Sequence, residues 1–302
     1  MLQFVAMGVV WGASFLFMKI ALGGISFTQV AGTRLVLGAI ALAVVVLLSR
    51  QRLPRQPIVW LHFLVIAVTQ CVLPYLAFAW AEQYVASGLA SIYNATTPIM
   101  TVIMATLVFR VEKLGGGQLL GVALGIIGVI VIIGPWRYAA LTGDVVGQLA
   151  CLFAALCYGI SFGYARRFLS SRPIPGATYA FVNIGLAAAI MVVLSPLIAR
   201  QPIRLDVPIV LSLLTLGILG TGFAYIWNIN VLRAWGPTGA STVTYVTPVV
   251  GVLLGVLVLG ETLSWNEPVG ALLVIVGILF AQRRIRLRRT EAVISDHGRR
   301  TA

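Results

Sequence analysis

GASTVTYVTPVVGVLLGVLVLGETLSWNEPVG, residues 239–270, is the stretch that decides the fold, because an earlier part of the chain repeats its pattern. Residues 89–121 read LASIYNATTPIMTVIMATLVFRVEKLGGGQLLG. Each stretch has Ala-Ser, then Thr-Pro, then an apolar run that leads to a glutamate and a glycine-containing segment. Pro98 therefore corresponds to Pro248, and the chain contains two versions of one apolar unit.

The composition places both units in lipid. Hydrophobic residues make up 60% of the chain and charged residues 10%, whereas a soluble domain has roughly 45–50% apolar and about 25% charged residues. The net charge of +13 comes mainly from short loops and from the tail at 282–289, so it indicates membrane orientation and does not predict nucleic-acid binding. Cys71, Cys151 and Cys157 lie inside apolar runs and are expected to pack as small side chains. No disulfide set, metal site or cofactor is predicted.

A membrane-crossing helix needs about 20 apolar residues. Ten such segments are separated by turn residues or by charge, namely 2–22, 27–48, 58–80, 86–109, 116–134, 145–166, 176–198, 207–232, 238–259 and 268–282. Lys and Arg are concentrated in the loops on the same side as both termini, which predicts that both termini are cytoplasmic. Apolar chains built from such repeats are typical of membrane transporters.

Five spans per unit is an odd number, so the second unit must enter the membrane from the opposite side. The predicted fold is an all-α membrane protein with ten transmembrane helices in two inverted five-helix repeats. The first repeat covers 1–139, the second covers 140–282, and 283–302 form a basic cytoplasmic tail. Such architectures place the substrate near the midplane, between the halves, and alternate access by rocking one half against the other.

Several short segments resemble the motifs of a known family. Residues 11–15, WGASF, followed by Lys19, resemble the opening WG-x-(S/N)-F…K of the drug/metabolite transporter superfamily. Residues 33–35, TRL, are similar to its arginine early in the second helix, and residues 245–261 are similar to its closing motif Y-x-x-P…LLGE. The resemblance covers 2–282 and is to the EamA-type branch. It implies a ten-helix carrier of the bacterial inner membrane that exports small metabolites, including amino acids, aromatic ones among them, and drugs.

Two prolines are expected to bend the helices that carry them. Pro98 and Pro248 lie inside spans four and nine and leave the carbonyls of Asn94 and Thr244 without their usual partner. In lipid a freed carbonyl needs another partner or a polar cavity. The prolines therefore indicate helix kinks that face the transport pathway, with a kink that serves only packing as the alternative.

Polar and aromatic side chains at mid-span are the candidates for the pathway, because such groups at membrane depth face protein or a cavity. Spans one, three, four, six, eight and nine are expected to line it. Aromatic walls with hydroxyls and amides suit an apolar or aromatic solute with a polar end, although each residue could equally hold two helices together. The candidates are Trp11, Ser14, Gln70, Tyr75, Tyr93, Asn94, Thr97, Tyr158, Ser161, Tyr225, Asn228, Thr242 and Tyr245.

The charged candidates are few. A structural role is predicted for Lys19, Arg34 and Glu82, with either cation bound to Glu82. Capture of a substrate carboxylate by Lys19 or Arg34 is the alternative. Glu112 and Glu261 correspond in the two units, but the motif around Glu112 departs from the family pattern, so equal roles are not expected. No span has an acid or histidine near its centre, which favours facilitated efflux or exchange over tight proton antiport.

The sequence thus predicts a secondary transporter that exports small hydrophobic metabolites, with amino acids, including aromatic ones, as the first class to test. Export of a purine, a sugar-like solute or many drugs is the alternative. An intramembrane enzyme is disfavoured because no nucleophile-base pair lies at membrane depth, and a channel because no filter pattern is present. The expected partners are a small-molecule substrate and the lipid bilayer. Glycines in spans five and ten predict either an internal scaffold or a homodimer surface.

Overall fold

The computed structural model describes residues 1–112, 115–137, 143–228, 230, 231, 234 and 243–282. Within these ranges the regular structure is entirely helical. Eight helices are long and apolar enough to cross a membrane, namely α1 (Leu2–Ala21), α2 (Phe27–Leu48), α3 (Pro57–Ala81), α4 (Ser87–Val108), α5 (Gly116–Ile133), α6 (Gly143–Phe168), α7 (Gly176–Ile198) and α8 (Val207–Asn228). Two shorter apolar helices follow, α9 (Val243–Leu259) and α10 (Asn266–Ala281). Each predicted span thus contains a helix, and the first residues of predicted span nine lie outside the described residues.

The start of α2 is fixed by side chains. The Gln29 main-chain N–H donates to Ser26 Oγ at 3.3 Å, and the Ser26 N–H donates to Gln29 Oε1 at 2.8 Å. This reciprocal capping box satisfies two N–H groups that a helix start leaves free. The Gln29 amide nitrogen also donates to the carbonyls of Ala199 and Gln201, at 3.2 and 2.8 Å, just beyond α7. The two helices are therefore joined at this end.

Three of the described helices widen into π turns. The π segments in α3 (Ala67–Val72) and α8 (Thr215–Phe223) lie at corresponding places in the two halves, and a third lies in α4 (Met104–Val108). In α3 the segment is followed by Pro74, which lacks the N–H that a regular turn would use. Tyr75 and Tyr225 come shortly after the π segments of α3 and α8. Because π turns shift the helix register and are frequent at functional sites, they mark this part of the fold.

The two predicted kinks differ. Helix α4 breaks after Asn94 and resumes at Thr97, directly before Pro98. The carbonyl of Asn94, to which Pro98 cannot donate, accepts a hydrogen bond from Thr97 Oγ1 at 2.7 Å. Helix α9 keeps Pro248 within one continuous helix. The break in α4 is thus satisfied by a neighbouring hydroxyl, as a freed carbonyl at this depth requires.

The helices pack in a pattern that repeats between the halves. Helix α1 packs against α9 and α8, and α6 packs against α4 and α3. Helix α2 packs against α8, and α7 packs against α3. The pairs α2 and α7, α4 and α9, and α5 and α10 are in mutual contact. Exchanging each helix for the one five places along the chain therefore reproduces these neighbours.

Helices α5 and α10 approach each other through glycines. A Cβ on Gly277 would lie 2.7 Å from the carbonyl oxygen of Gly121 and 2.8 Å from the nitrogen of Gly125. A Cβ on Gly128 would lie 2.8 Å from the carbonyl oxygen of Gly270. Small residues allow two backbones to pack this closely. The glycine face of α5 is therefore covered by α10 within the same chain.

Candidate functional site

A cavity of about 180 Å³ lies where α1, α2, α3, α4, α6, α8 and α9 meet. Most of the exposed surface of its wall is aromatic and apolar, and seven hydroxyl groups, two amide groups and one guanidinium group of the described residues also line it. An apolar cavity of roughly 150 Å³ can hold benzene. This cavity therefore has room for one ring-sized body with a short polar end.

Eight of the predicted pathway residues lie on this wall. They come from five helices that the sequence predicts to line the pathway, and they are Trp11, Ser14, Gln70, Tyr75, Asn94, Thr97, Tyr158 and Tyr225. The sixth predicted helix, α9, contributes Val243, Thr244 and Thr247. Helix α2 also reaches the cavity, through Arg34.

Four predicted residues lie away from this wall, and Thr242 lies outside the described residues. Tyr93 is fully buried and donates its hydroxyl to Gln148 Oε1 of α6 at 2.7 Å. Tyr245 donates its hydroxyl to Gln282 Oε1 at 2.8 Å. Ser161 is fully buried, and Asn228 is partly buried. Their mid-span positions predicted the cavity, but Tyr93 and Tyr245 lie on a side of the helix that directs them to glutamines of other segments.

The sequence reasoning missed the apolar part of the wall. The sequence predictions selected polar and hydroxyl-bearing side chains at mid-span, and this criterion does not identify the apolar wall residues Phe15, Met18, Phe78 and Phe162. On α1 a spacing signal was available, because the wall residues follow each other at three- and four-residue steps, the period of one helix face. They are Trp11, Ser14, Phe15 and Met18.

The π segment of α8 binds one of the wall residues. Trp11 Nε1 donates to the carbonyl oxygen of Gly220 at 3.1 Å. The Trp11 ring meets Tyr225 edge to face, with the ring centroids 6.1 Å apart. Phe15 and Phe78, which also line the cavity, pack edge to face with their ring centroids 5.5 Å apart. The indole is thereby held by α8, and aromatic surfaces from both halves enclose the cavity.

Arg34 lies on the cavity wall and does not have the partner that the sequence suggested. Its Nε–H donates to Thr221 Oγ1 at 2.9 Å, and its guanidinium carbon lies 4.2 Å from the centroid of the Tyr75 ring. Within the described ranges the one ion pair joins Glu112 to Arg166. The expected pairing of Arg34 with an acid is therefore replaced by a hydroxyl and a cation–π contact.

Lys19 binds the segment around Glu82 through the main chain. Its ammonium donates to the carbonyl oxygens of Glu82 and, at 2.9 Å, of Val85. These carbonyls follow α3, where a helix end leaves carbonyls free and favours a cation. The predicted structural role of Lys19 is thus exerted on the helix end, whereas the sequence suggested a bond to the carboxylate.

Glu82 is fully buried, and neither of its carboxyl oxygens has a hydrogen-bond partner in the part of the chain that the structure describes. Burial raises the pKa of this carboxyl well above its ordinary value, with Lys19 acting against the rise and Glu261 adding to it. The group follows α3 directly. It is therefore a buried acid that the fold favours in the neutral form.

Glu261 ties the end of α9 to the start of α4. Its carboxylate accepts hydrogen bonds from the main-chain N–H groups of Ser87 and Gly88, at 2.7 and 3.0 Å, and from Ser87 Oγ at 3.1 Å. A helix N-terminus favours a negative charge because its first N–H groups are free. Glu112 instead pairs with Arg166. The two corresponding acids have different contacts.

The three cysteines are buried and free. Among the described residues, His, Cys, Asp and Glu side chains form no group of three that could hold a metal ion. The chemistry of the cavity is therefore that of its aromatic, hydroxyl, amide and guanidinium groups.

Comparison with known proteins agrees with this architecture. The chain is 28% identical over 94% of its length to a "probable amino-acid metabolite efflux pump" of Salmonella typhimurium, covering 95% of that protein. It is 26% identical over 94% of its length to the "uncharacterized transporter YoaV" of Bacillus subtilis, covering 99% of it. It is 27% identical over 87% of its length to the "uncharacterized inner membrane transporter YedA" of Escherichia coli, covering 83% of it.

A crystal structure with 21% sequence identity has the same fold, with a TM-score of 0.63 over 94% of this chain and 97% of the other. The model of the EamA-like transporter family matches residues 1–134 and 145–282. These two stretches include all ten helices described above, apart from the first two residues of α6. The chain therefore belongs to the EamA-like transporter family.

Proposed function

We propose that this protein is a secondary transporter that exports small hydrophobic metabolites, with amino acids, including aromatic ones, as the first substrate class. The observation that carries the proposal is the central cavity, whose mostly apolar wall is formed by aromatic rings from α1, α3, α6 and α8 together with hydroxyl and amide groups. A pocket with apolar walls and few polar groups selects a solute with an apolar body and a polar end. The relatives named as amino-acid metabolite efflux pumps support this choice.

The transport cycle would use two inverted halves. The repeated helix neighbours support a two-fold relation between α1–α5 and α6–α10. If all ten helices cross the membrane, five per half is odd, and the two-fold axis must lie in the membrane plane. Both termini would then lie in the cytoplasm, as the distribution of Lys and Arg indicates. Alternating access would expose the cavity to each side in turn.

The alternative solutes differ in the number of hydrogen-bond partners that they need from the cavity wall. A sugar-like solute needs many hydrogen-bond partners, because each hydroxyl that enters an apolar site without a partner loses free energy. The described residues of the cavity wall carry seven hydroxyl groups, two amides and one guanidinium, but most of the exposed surface of the wall is aromatic and apolar. An aromatic or branched apolar body suits this wall better, which favours the amino-acid version over the sugar-like version.

The test is efflux from proteoliposomes that contain the purified protein and a mixture of labelled solutes. We expect phenylalanine and leucine to leave faster than from empty liposomes, and glucose to leave at the background rate. Trp11→Ala should slow this efflux, whereas Trp265→Ala, which changes an exposed tryptophan away from the cavity, should not. Efflux of adenine or of a drug, with every amino acid retained, would overturn the amino-acid version.

A further inference from the structure

Arg34 is a buried cation whose terminal amino groups remain available. Its side chain is 8% exposed and lies on the cavity wall. Its Nε–H donates to the Thr221 hydroxyl, and its guanidinium carbon lies 4.2 Å from the centroid of the Tyr75 ring. Among the described residues no hydrogen-bond acceptor or carboxylate holds the two terminal amino groups. A charge within a membrane-spanning helix is costly unless it is paired, so an anionic partner from outside the chain would complete this site.

The surroundings of Arg34 hold it in a fixed orientation. The hydrogen bond to α8 and the contact with the ring from α3 hold the guanidinium between two helices. A guanidinium presents two parallel N–H donors to a carboxylate, which a lysine cannot do. Because the Thr221 hydroxyl binds only Nε, the terminal donors of this cavity-lining residue are left for a solute.

A hydroxyl group lies near the guanidinium. Ser14 and Arg34 both line the cavity and both pack close to Gly220, where a Cβ would lie 3.1 Å from Ser14 Oγ and 3.9 Å from Arg34 Nη2. The Ser14 hydroxyl donates to the Val10 carbonyl at 2.9 Å, so its oxygen can still accept a hydrogen bond from the polar end of a solute.

We propose that Arg34 is the carboxylate-binding residue of this cavity, and that the transported class is therefore a small amphipathic carboxylate with an apolar body about the size of one ring. The proposal rests on the proposed function and narrows it. It separates this class from purines, sugar-like solutes and cationic drugs, none of which presents a carboxylate. Aromatic amino acids and aryl carboxylic acids share this chemistry.

The test compares four compounds with one ring and different polar ends. Phenylalanine has a carboxylate and an amine, 3-phenylpropionate has only the carboxylate, phenethylamine has only the amine, and phenylalaninamide replaces the carboxylate by a neutral amide. Binding is measured by the rise in unfolding temperature of the detergent-solubilised protein, and transport is measured separately in proteoliposomes. We expect the two carboxylates to bind on the order of tenfold more tightly than the other two, as a charge-assisted bond would give. Stronger binding of phenylalanine than of 3-phenylpropionate would identify the amino acid as the source of the carboxylate, and the reverse would identify the aryl acid.

The variants are Arg34→Gln, Arg34→Lys and, as the matched control, Arg200→Gln. Arg200 is an exposed arginine whose Nε–H donates to the Pro196 carbonyl. Arg34→Gln should bring the four compounds within about twofold of each other, Arg34→Lys should keep part of the preference, and Arg200→Gln should keep all of it. If Arg34→Gln does not fold, Arg34→Lys and the comparison of compounds on the unchanged protein still decide the question.

The outcomes separate the two proposals. Equal binding of phenylalaninamide and phenylalanine by the unchanged protein, or a full carboxylate preference in Arg34→Gln, overturns the role of Arg34. Carboxylate-dependent binding without any efflux supports the role of Arg34 and overturns the proposed transport. Efflux of ring compounds without regard to the carboxylate supports transport and overturns the role of Arg34.

Discussion

The contact of Glu261 with the start of α4 should stabilise the fold more than the contact of Glu112 with Arg166. Glu261 serves two main-chain N–H groups and one hydroxyl across about half of the chain. A hydrogen bond to a charged group contributes roughly 1.5–3 kcal/mol, and the loss of an N-cap costs about 0.5–2 kcal/mol. Glu261→Gln keeps an amide oxygen that can still accept. Its expected cost is therefore about 2–3 kcal/mol.

The matched change is Glu112→Gln, since the two glutamates correspond in the repeat. The Arg166 side chain that Glu112 meets is 55% exposed, and an exposed ion pair is worth about 0–1 kcal/mol. With roughly 2–4 °C of unfolding temperature per kcal/mol, Glu261→Gln should lower the unfolding temperature by about 4–12 °C and Glu112→Gln by at most about 4 °C. The assay is thermal unfolding in detergent, followed by tryptophan fluorescence. A greater loss in Glu112→Gln than in Glu261→Gln would refute the reasoning.

Three further predictions concern the scaffold, the buried acid and the cavity wall. Gly277→Ala places a methyl group against the α5 backbone and should destabilise the fold by about 1–3 kcal/mol, measured as a lower unfolding temperature. The control Gly116→Ala places its methyl group in open space and should change the unfolding temperature little. Equal effects of the two changes would contradict the glycine packing. Because burial raises the pKa of Glu82 above 4.5, its contribution to stability is complete below that pH and is lost as the pH rises through the pKa in the fold. The unfolding temperature should therefore fall as the pH rises above 4.5, and Glu82→Gln should make this fall less steep. If the pH dependence of the unfolding temperature is the same in Glu82→Gln, Glu82 is not its cause. The other charges near Glu82 are Lys19, Arg34 and Glu261. Trp11→Phe keeps a ring but loses the hydrogen bond to the Gly220 carbonyl, which contributes about 1 kcal/mol. The rate of phenylalanine efflux should therefore fall roughly fivefold. An unchanged rate would show that this hydrogen bond does not position the cavity wall for transport.

The positions of the helices could be predicted closely from the sequence. A segment that crosses lipid must satisfy its backbone by hydrogen bonds within the helix and must present apolar side chains for about 20 residues. Hydropathy therefore places the ten segments to within a few residues. The glycines of α5 and α10 and the proline in α4 could also be interpreted locally, because close packing and a missing N–H depend on residue type.

The cavity wall could be predicted only in part. Tyr75, Tyr158 and Tyr225 reach it, whereas Tyr93 and Tyr245 bind glutamines elsewhere. All five lie in apolar helices with polar groups at intervals, and residue type alone does not say which side of each helix faces the centre. Only the packing of neighbouring helices makes that choice.

The sequence by itself determined that this chain is a repeat-built membrane protein and which polar groups lie near the middle of its apolar segments, because lipid imposes its demand along the axis of each helix. The tertiary structure decided the direction around that axis. A helix that is apolar on most of its surface has no distinct polar face. The periodicity of its apolar residues therefore gives little information about which side contacts which neighbouring helix. For this reason the sequence suggested that Arg34 would pair with Glu82, while the structure places it beside Tyr75 and Thr221 on the wall of the central cavity.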